Sequence, residues 1–270
     1  TRQNTFNKGL DTLKKSQDYW IYGLNPVFAA LKNKSRSCHK LLCTNDVLTK
    51  YSTFFEKLTK DKGITPQEVT KKYIKSLLET NSRHQGIIAK VKNLPDKKIE
   101  NSLKSFSKNS ILLALDQISD PQNVGAIIRS SVIFGCEGII ITKNNSPQES
   151  GLLAKSAAGA LEIANIFRIP NLARTLTELK KNNFWVIGLD SDTKKNLNTI
   201  NTSGPIVIVI GSEGKGLRSL TKKVCDSSFT IEMTKQAIEN GIDSLNVSNA
   251  TSIALYAINE QRKKLKISNS

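Results

Sequence analysis

The sequence predicts a layered α/β protein in two parts, a small α/β unit and then a larger one built on a mostly parallel sheet. Three observations carry this reading. Strand-like apolar runs alternate with helical periodicity along most of the 270 residues, the rhythm of a layered sheet. After Ile111 these runs become continuous, as strands covered on both faces require. Between the two parts lies a stretch rich in Ser, Lys and Asn, the composition of a connector.

Residues 1–18 are polar and basic and read as a flexible tail. A small domain follows over 19–95. Asn25-Pro26 opens a helix, with Asn as N-cap and Pro in the first helical position, and Val27, Ala30 and Leu31 line one face. A short strand over 40–43, a helix over 46–60 and a segment after Thr65-Pro66 come next; in that segment Ile74, Leu77 and Leu78 fall at helical spacing. Residues 86–91 form a closing strand. Pro95-Asp96-Lys97-Lys98 begins a linker over 96–110 whose composition suggests mobility, so that the small domain would swing.

The second domain covers 111–266. A buried strand over 111–115 precedes a helix over 124–134 that Gly135 ends. Three successive isoleucines mark the strand at 138–142. Asn171 caps a helix through 182, a strand returns at 184–189, and 206–210 is the most apolar strand. A short helix over 218–224 and a longer one over 248–264 complete it, the latter with Ile253, Ala254, Ala257 and Ile258 on one side. Ligands of such sheets sit at the carboxyl ends of the strands, and there the unusual residues fall.

Forty Lys+Arg against 23 Asp+Glu give a net charge of +17, which draws the chain toward polyanions; a Lys-rich genome would produce part of the same excess. No run approaches the ~18 apolar residues of a membrane span, and no stretch resembles a signal peptide, so a cytoplasmic protein without membrane contact is expected. Cys38, Cys43, Cys136 and Cys225 form no C-x-x-C pair, and only His39 and His84 supply imidazole. That spacing predicts no metal site and reduced, mostly buried thiols.

Three loops hold candidate chemistry. In D-Q-I-S-D-P-Q-N-V-G-A-I-I-R, from Asp116 to Arg129, a strand passes into a helix, and Asn123 and Arg129 are candidates to face one cleft; Asn123 as an N-cap and Arg129 as a solvated residue is the structural alternative. Gly211-Ser212-Glu213-Gly214-Lys215-Gly216 exposes backbone amides able to cradle an anion or nucleotide-like ligand, or is a tight turn. It is neither G-x-G-x-x-G nor a P-loop. Ser244-Leu245-Asn246-Val247-Ser248-Asn249-Ala250 precedes the last helix, with Ser248 or Asn249 as a possible N-cap.

Together, N-V-G-A-I-I-R, I-G-S-E-G-K-G-L and S-L-N-V-S-N-A resemble the three motifs of the SpoU family, the S-adenosylmethionine-dependent RNA ribose 2′-O-methyltransferases of SPOUT fold. Residues 21–27 and 84–89 look like the ends of a substrate-binding domain similar to ribosomal protein L30e, as in the subgroup that methylates a guanosine of 23S ribosomal RNA. The resemblance implies a C-terminal trefoil knot and a homodimer whose active sites borrow residues across the interface. It implies S-adenosylmethionine held by Gly188, Leu189, Gly211, Gly214, Ile231, Met233 and Leu245. Catalytic positions would be Asn123, Arg129, Glu213, Ser244 and Asn246. Arg129 matches the family's essential arginine; because a guanidinium stays protonated, a phosphate clamp that polarises the hydroxyl is the expected role. The family's I-P-M reads Ile231-Glu232-Met233 here, and 235–243 is longer than usual, which bears on cofactor affinity. Transfer RNA as substrate, or a non-catalytic RNA-binding assembly factor, are the alternatives.

Overall fold

The structure is a computed structural model that describes residues 18–242 and 244–268; nearly all of the expected basic tail lies outside the described residues. The small unit comprises β1 Tyr19–Tyr22, α1 Leu24–Lys32, β2 Cys38–Cys43, α2 Asn45–Lys50, α3 Ser52–Lys62, β3 Gln67–Glu68, α4 Lys71–Ser76 and β4 Ile87–Val91. Its strands run in the order β1-β4-β2-β3, with β4 antiparallel to both β1 and β2. The strand expected to close the unit is therefore an interior one. Ile87, Ile88, Ala89 and Val91 are all buried, as a strand with two partners and two covered faces demands.

Two helices differ from expectation. α1 opens at Leu24 with Gly23 as N-cap at φ 92°, not at Asn25. Pro26 still fits, because the first turn of a helix has no use for its missing N–H. The helix expected over 46–60 is two, α2 and α3, bent at Tyr51 with φ −119° and ψ 27°. The bend brings Tyr51 and Phe54 against Phe28, with ring centroids 4.9 and 4.8 Å away. Aromatic packing of that kind is invisible to periodicity.

Residues 96–110 do not hang free. Ile99 is buried in a 3-10 turn at Ile99–Asn101, and Lys97 bridges to Phe167. The Phe106 ring meets Phe167 and Phe184 edge-on at 6.3 and 5.7 Å. The expected swinging linker is a strap across the larger sheet. Isolated apolar residues anchor it without making any pattern.

The larger unit comprises β5 Ile111–Asp116, α5 Pro121–Ile133, β6 Gly138–Thr142, α6 Gly151–Ala157, β7 Ile166–Ile169, α7 Leu172–Lys181, β8 Trp185–Leu189, β9 Ile206–Gly211, α8 Ser219–Val224, β10 Ser227–Phe229, α9 Lys235–Glu239 and α10 Val247–Ser268. The sheet order is β10-β8-β9-β5-β6-β7, and every neighbouring pair is parallel. The chain moves outward from β5 to β7, crosses to β8, and returns β9 into the centre. The edge strands β7 and β10 and the short α6 and α9 escaped the sequence reading. Edge strands are half-exposed and carry no continuous apolar run.

Caps matter for the site. Asp120, not Asn123, caps α5, accepting from the backbone of Gln122 and Asn123 at 3.2 and 3.1 Å, which leaves the Asn123 side chain free for other partners. Gly135 takes φ 72° just past the helix end, as expected. Asn246 Oδ1 accepts from Ser248 N at 3.0 Å, so it caps α10 in place of Ser248 or Asn249. That helix buries Val247, Thr251, Ala254, Leu255 and Ile258, while Ile253 is 41% exposed rather than on the buried side.

The two units pack directly on each other. A Cβ on Gly151 of α6 would stand 2.5 Å from the Trp20 carbonyl and 2.7 Å from the Tyr22 ring. Arg36 is buried between them, 2.7 Å from both Glu149 and Glu162, and donates to the Lys92 carbonyl at 2.7 Å. Burial and the neighbouring Glu149 push the Tyr19 phenol, which donates to Glu149, above its ordinary range. Among the described residues no helix is long and apolar enough to cross a membrane. Nor does any group of three or more His, Cys, Asp and Glu side chains there suit a metal ion.

Candidate active site

A cleft of about 210 Å³ opens at the carboxyl ends of β8 and β9. Leu189, Ile210, Ile231, Met233, Leu245 and Val247 give it apolar walls, while Asp190, Glu213, Thr230 and Ser244 stand at its polar edge. β9 runs straight into the glycine loop, which doubles back so that Gly216 N donates to Ser212 O at 2.9 Å. The glycines there have two separate causes. Gly214 and Gly216 adopt φ of 76° and 61°, where a side chain is strained. At Gly211 there is simply no room, because a Cβ would overlap the Gly216 carbonyl and stand 2.5 Å from Leu217 N.

Of the residues expected to hold a cofactor, Leu189, Gly211, Gly214, Ile231, Met233 and Leu245 all line this cleft. Gly188 does not. Strand alternation turns it to the opposite face of β8, where a Cβ would stand 2.7 Å from Leu217 and 3.2 Å from the Ser228 hydroxyl. Its bareness serves packing of the second loop on β8. The missing proline at 232 has a counterpart in a polar tie, since Asn196 donates to the Glu232 carboxylate at 2.8 Å. The longer segment carries α9, capped by Thr234; its last residue, Asp243, lies outside the described residues.

The three loops converge on one carboxylate oxygen. Glu213 Oε1 accepts from Asn246 Nδ2 at 2.7 Å, from Val247 N at 3.1 Å and from Asn123 Nδ2 at 3.3 Å. Asn246 Nδ2 also donates to Asn123 Oδ1 at 3.0 Å. One glutamate thus holds both asparagines and the first turn of α10, one contribution from each motif. Glu213→Ala removes all three acceptor contacts, and kcat/KM of the reaction carried out at this site is expected to fall on the order of 100-fold, as when a reacting geometry shifts by about 1 Å. Glu213→Gln, which keeps an acceptor without the charge, should fall between it and the wild type. A single-turnover assay alongside thermal unfolding checks this, and wild-type turnover by Glu213→Ala contradicts it.

Arg129 lies elsewhere. Six residues past Asn123 is roughly 240° round a helix, so the two side chains leave α5 in different directions. Arg129 shares the exposed face with Ile133, and among the described residues neither a hydrogen bond nor an ion pair ties it to the Glu213 cluster. The expectation of one shared cleft within a single chain is corrected by helix geometry.

Two ion pairs went unread in the sequence. Asp116, fully buried at the end of β5, lies 2.6 Å from Arg218 Nε and accepts from Arg218 N at 3.0 Å. This pair registers the first loop against the second. Lys222 Nζ lies 2.5 Å from Asp190 at the cleft edge, and that hydrogen bond raises the Lys222 ammonium above its ordinary range. Only the tertiary fold joins residues so far apart in sequence; the signal available was the Asp directly after an apolar strand. All four cysteines are free. Burial pushes Cys43 and Cys136 up to about 12 and Cys225 to about 11, so these three thiols are no nucleophiles at neutral pH.

Residues 110–256 match the model of the SpoU rRNA Methylase family, and residues 20–96 match that of RNA 2'-O ribose methyltransferase substrate binding. The chain is 33% identical over 251 residues to the 23S rRNA (guanosine-2'-O-)-methyltransferase RlmB of Shewanella oneidensis, covering 92% of this chain and 99% of that one. The solved SpoU methyltransferase AviRb of Streptomyces viridochromogenes, in complex with the cofactor AdoMet, superposes with a TM-score of 0.76 at 21% identity, over 91% of this chain and 90% of its own. The TrmH/SpoU tRNA modifying enzyme of A. aeolicus matches with a TM-score of 0.51 at 23% identity, over 62% of this chain and 86% of its own. With the family model spanning the larger unit and relatives aligned end to end, the chain belongs to the SpoU rRNA Methylase family.

Proposed function

We propose that this protein transfers a methyl group from S-adenosylmethionine (AdoMet) to a ribose 2′-hydroxyl of RNA, with a guanosine of 23S ribosomal RNA as acceptor. The observation that carries the reading is the meeting of Asn123, Glu213 and Asn246 beside an apolar cleft at the strand ends, in a chain of this family. The cleft fits the cofactor in kind. Apolar walls from Leu189, Ile231 and Leu245 suit a flat purine, the glycine loop brings bare main chain to the ligand, and Asp190 and Ser244 offer polar partners at the rim.

When bound, AdoMet supplies an electrophilic methyl group on a sulfonium. The protein's part is alignment and charge. Asn123 and Asn246, fixed by Glu213, orient the nucleotide, and Arg129 clamps its phosphate and polarises the 2′-hydroxyl. A guanidinium stays protonated, so the hydroxyl proton leaves to solvent. The 2′-oxygen makes RNA, not DNA, the substrate.

Arg129 must then come from a second copy. Ile133, Ile253 and Tyr256 are 66%, 41% and 56% exposed on the adjoining faces of α5 and α10, an apolar surface that suits a homodimer. It would carry Arg129 toward the partner's cluster. In the same reading, residues 19–95 are the module that binds RNA, the return of β9 between β8 and β5 belongs to the family's knot, and the protein works in the cytoplasm.

A labelled-methyl assay on ribosomal and transfer RNA, with mapping of the modified ribose, tests the reaction and its substrate. Methylation of transfer RNA alone would move the acceptor, and RNA binding with no transfer would leave an assembly factor. Arg129→Lys should lose about 10–100-fold in turnover, the worth of a charged hydrogen bond or two. Mixing inactive Arg129→Ala and Glu213→Ala chains should restore roughly a quarter of wild-type activity if sites are shared across a symmetric dimer. No recovery from the mixture would place Arg129 in its own chain's site.

A further inference from the structure

The two motifs at the ends of the small unit, 21–27 and 84–89, meet at a lysine of the larger one. Gln85 Oε1 accepts from Leu24 N at 3.3 Å and from Lys155 Nζ at 2.7 Å. Gly23 is bare where Lys155 arrives, since a Cβ there would touch Nζ. His84, buried beside this junction, turns its Nδ1 inward to accept from Gly86 N at 3.1 Å. Gln85 is neutral, so the tie leaves the charge of Lys155 uncompensated.

Around it are more cations. Burial, then Lys75, Lys71 and Lys155, lower the pKa of His84; burial, then Arg83, lowers that of Lys155. No carboxylate is among the groups acting on either. Lys71 has one exposed partner, Asp46 at 3.3 Å, while Lys75 and Arg83 are exposed. Like charges drawn together with one exposed carboxylate beside them are electrostatically unfavourable unless a polyanion shares them. Their position connects them to the methyl-transfer centre. A Cβ on Gly125 of α5 would stand 2.6 Å from the Leu153 carbonyl and from Ser156 Cβ, so the α6 turn carrying Lys155 lies against the α5 turn that presents Asn123.

The geometry points to a phosphate-binding surface that spans both units, in which Lys71, Lys75, Arg83 and Lys155 grip the backbone of the RNA strand leading to Asn123. This assignment rests on the reading of the protein as an RNA methyltransferase. It gives the direct packing of the two units a purpose, because their junction sets the cations beside the turn that presents Asn123. Contacts of this kind position RNA without reading its sequence.

The test compares the full-length double variant K75Q/R83Q with K57Q/K60Q, which removes two exposed charges from α3. Binding of a labelled 23S ribosomal RNA transcript is followed from low to high salt, together with AdoMet binding and thermal unfolding. K75Q/R83Q should bind RNA about tenfold more weakly, and its log Kd against log salt slope should be shallower by between one and two. AdoMet affinity and unfolding temperature should not move, and K75R/R83K should bind as the wild type does. Equal losses in the two double variants, or an unchanged slope in K75Q/R83Q, overturn the assignment. A wild-type chain that methylates RNA while K75Q/R83Q binds normally would sink this surface and leave the reaction standing; RNA binding lost in K75Q/R83Q, by a protein that methylates nothing, would do the reverse.

Discussion

Gly211→Ala is expected to lose AdoMet binding by on the order of 100-fold or more. The added methyl group would overlap the Gly216 carbonyl and stand 2.5 Å from Leu217 N. Both are backbone, so no rotamer change can yield. Either β9 ends early or the loop that doubles back through Gly216 moves outward by about 1 Å, the displacement that costs roughly 100-fold in a positioned site. Overpacking of this kind also destabilises by about 1–3 kcal/mol, so calorimetric titration with AdoMet belongs beside thermal unfolding. Gly135→Ala is the control, since nothing lies within 4 Å of a Cβ there; it should cost only the left-handed backbone strain of about 1–2 kcal/mol and leave cofactor affinity intact. Wild-type AdoMet affinity in Gly211→Ala would show that the cleft is not the cofactor's.

Arg36→Met is expected to be the most destabilising change outside the cleft. Burial opposes the charge of Arg36, but the hydrogen bond to Glu162 and the nearby Tyr19 and Glu149 hold its guanidinium above the ordinary range. Its side chain is fully buried, with those of Glu149 and Glu162 10% and 4% exposed. Removing the cation leaves two carboxylates in a dry interface, which costs about 3–5 kcal/mol and lowers the unfolding temperature on the order of 10 °C for a chain of this size. Neutralising the acids as well, in Arg36→Met/Glu149→Gln/Glu162→Gln, should recover part of the loss, because the penalty lies in the uncompensated charges. Unfolding of Arg36→Met at the wild-type temperature would mean that the network contributes nothing net.

Much of this was legible in the chain. The continuous run at 206–210 announced a central parallel strand, since only two covered faces tolerate it. The spacing of three loops gave the family, and Glu213 stood out as a carboxylate within a glycine turn. The α5 cap misled because Asp120 and Asn123 are both good caps; Pro121 in the first helical position is the local sign that favours Asp120. Residues 96–110 misled because three or four anchoring side chains, spread along a polar stretch, have no period to detect.

By itself, then, the sequence determined the α/β alternation and the strand ends that bear the loops, because each follows from local spacing of apolar side chains and turn residues; the residues of the cleft came from the likeness of three motifs to a family, and Gly188 among them turned out to face the other side of its strand. Only the tertiary structure decided which side chains meet. Asn123, Glu213 and Asn246 are far apart in sequence yet share one carboxylate oxygen, while Arg129, only six residues from Asn123, faces away from it. Proximity along a helix is fixed by its pitch, but proximity between loops is fixed by the order of strands in the sheet. That order is set by long-range pairing, which no short window of residues contains.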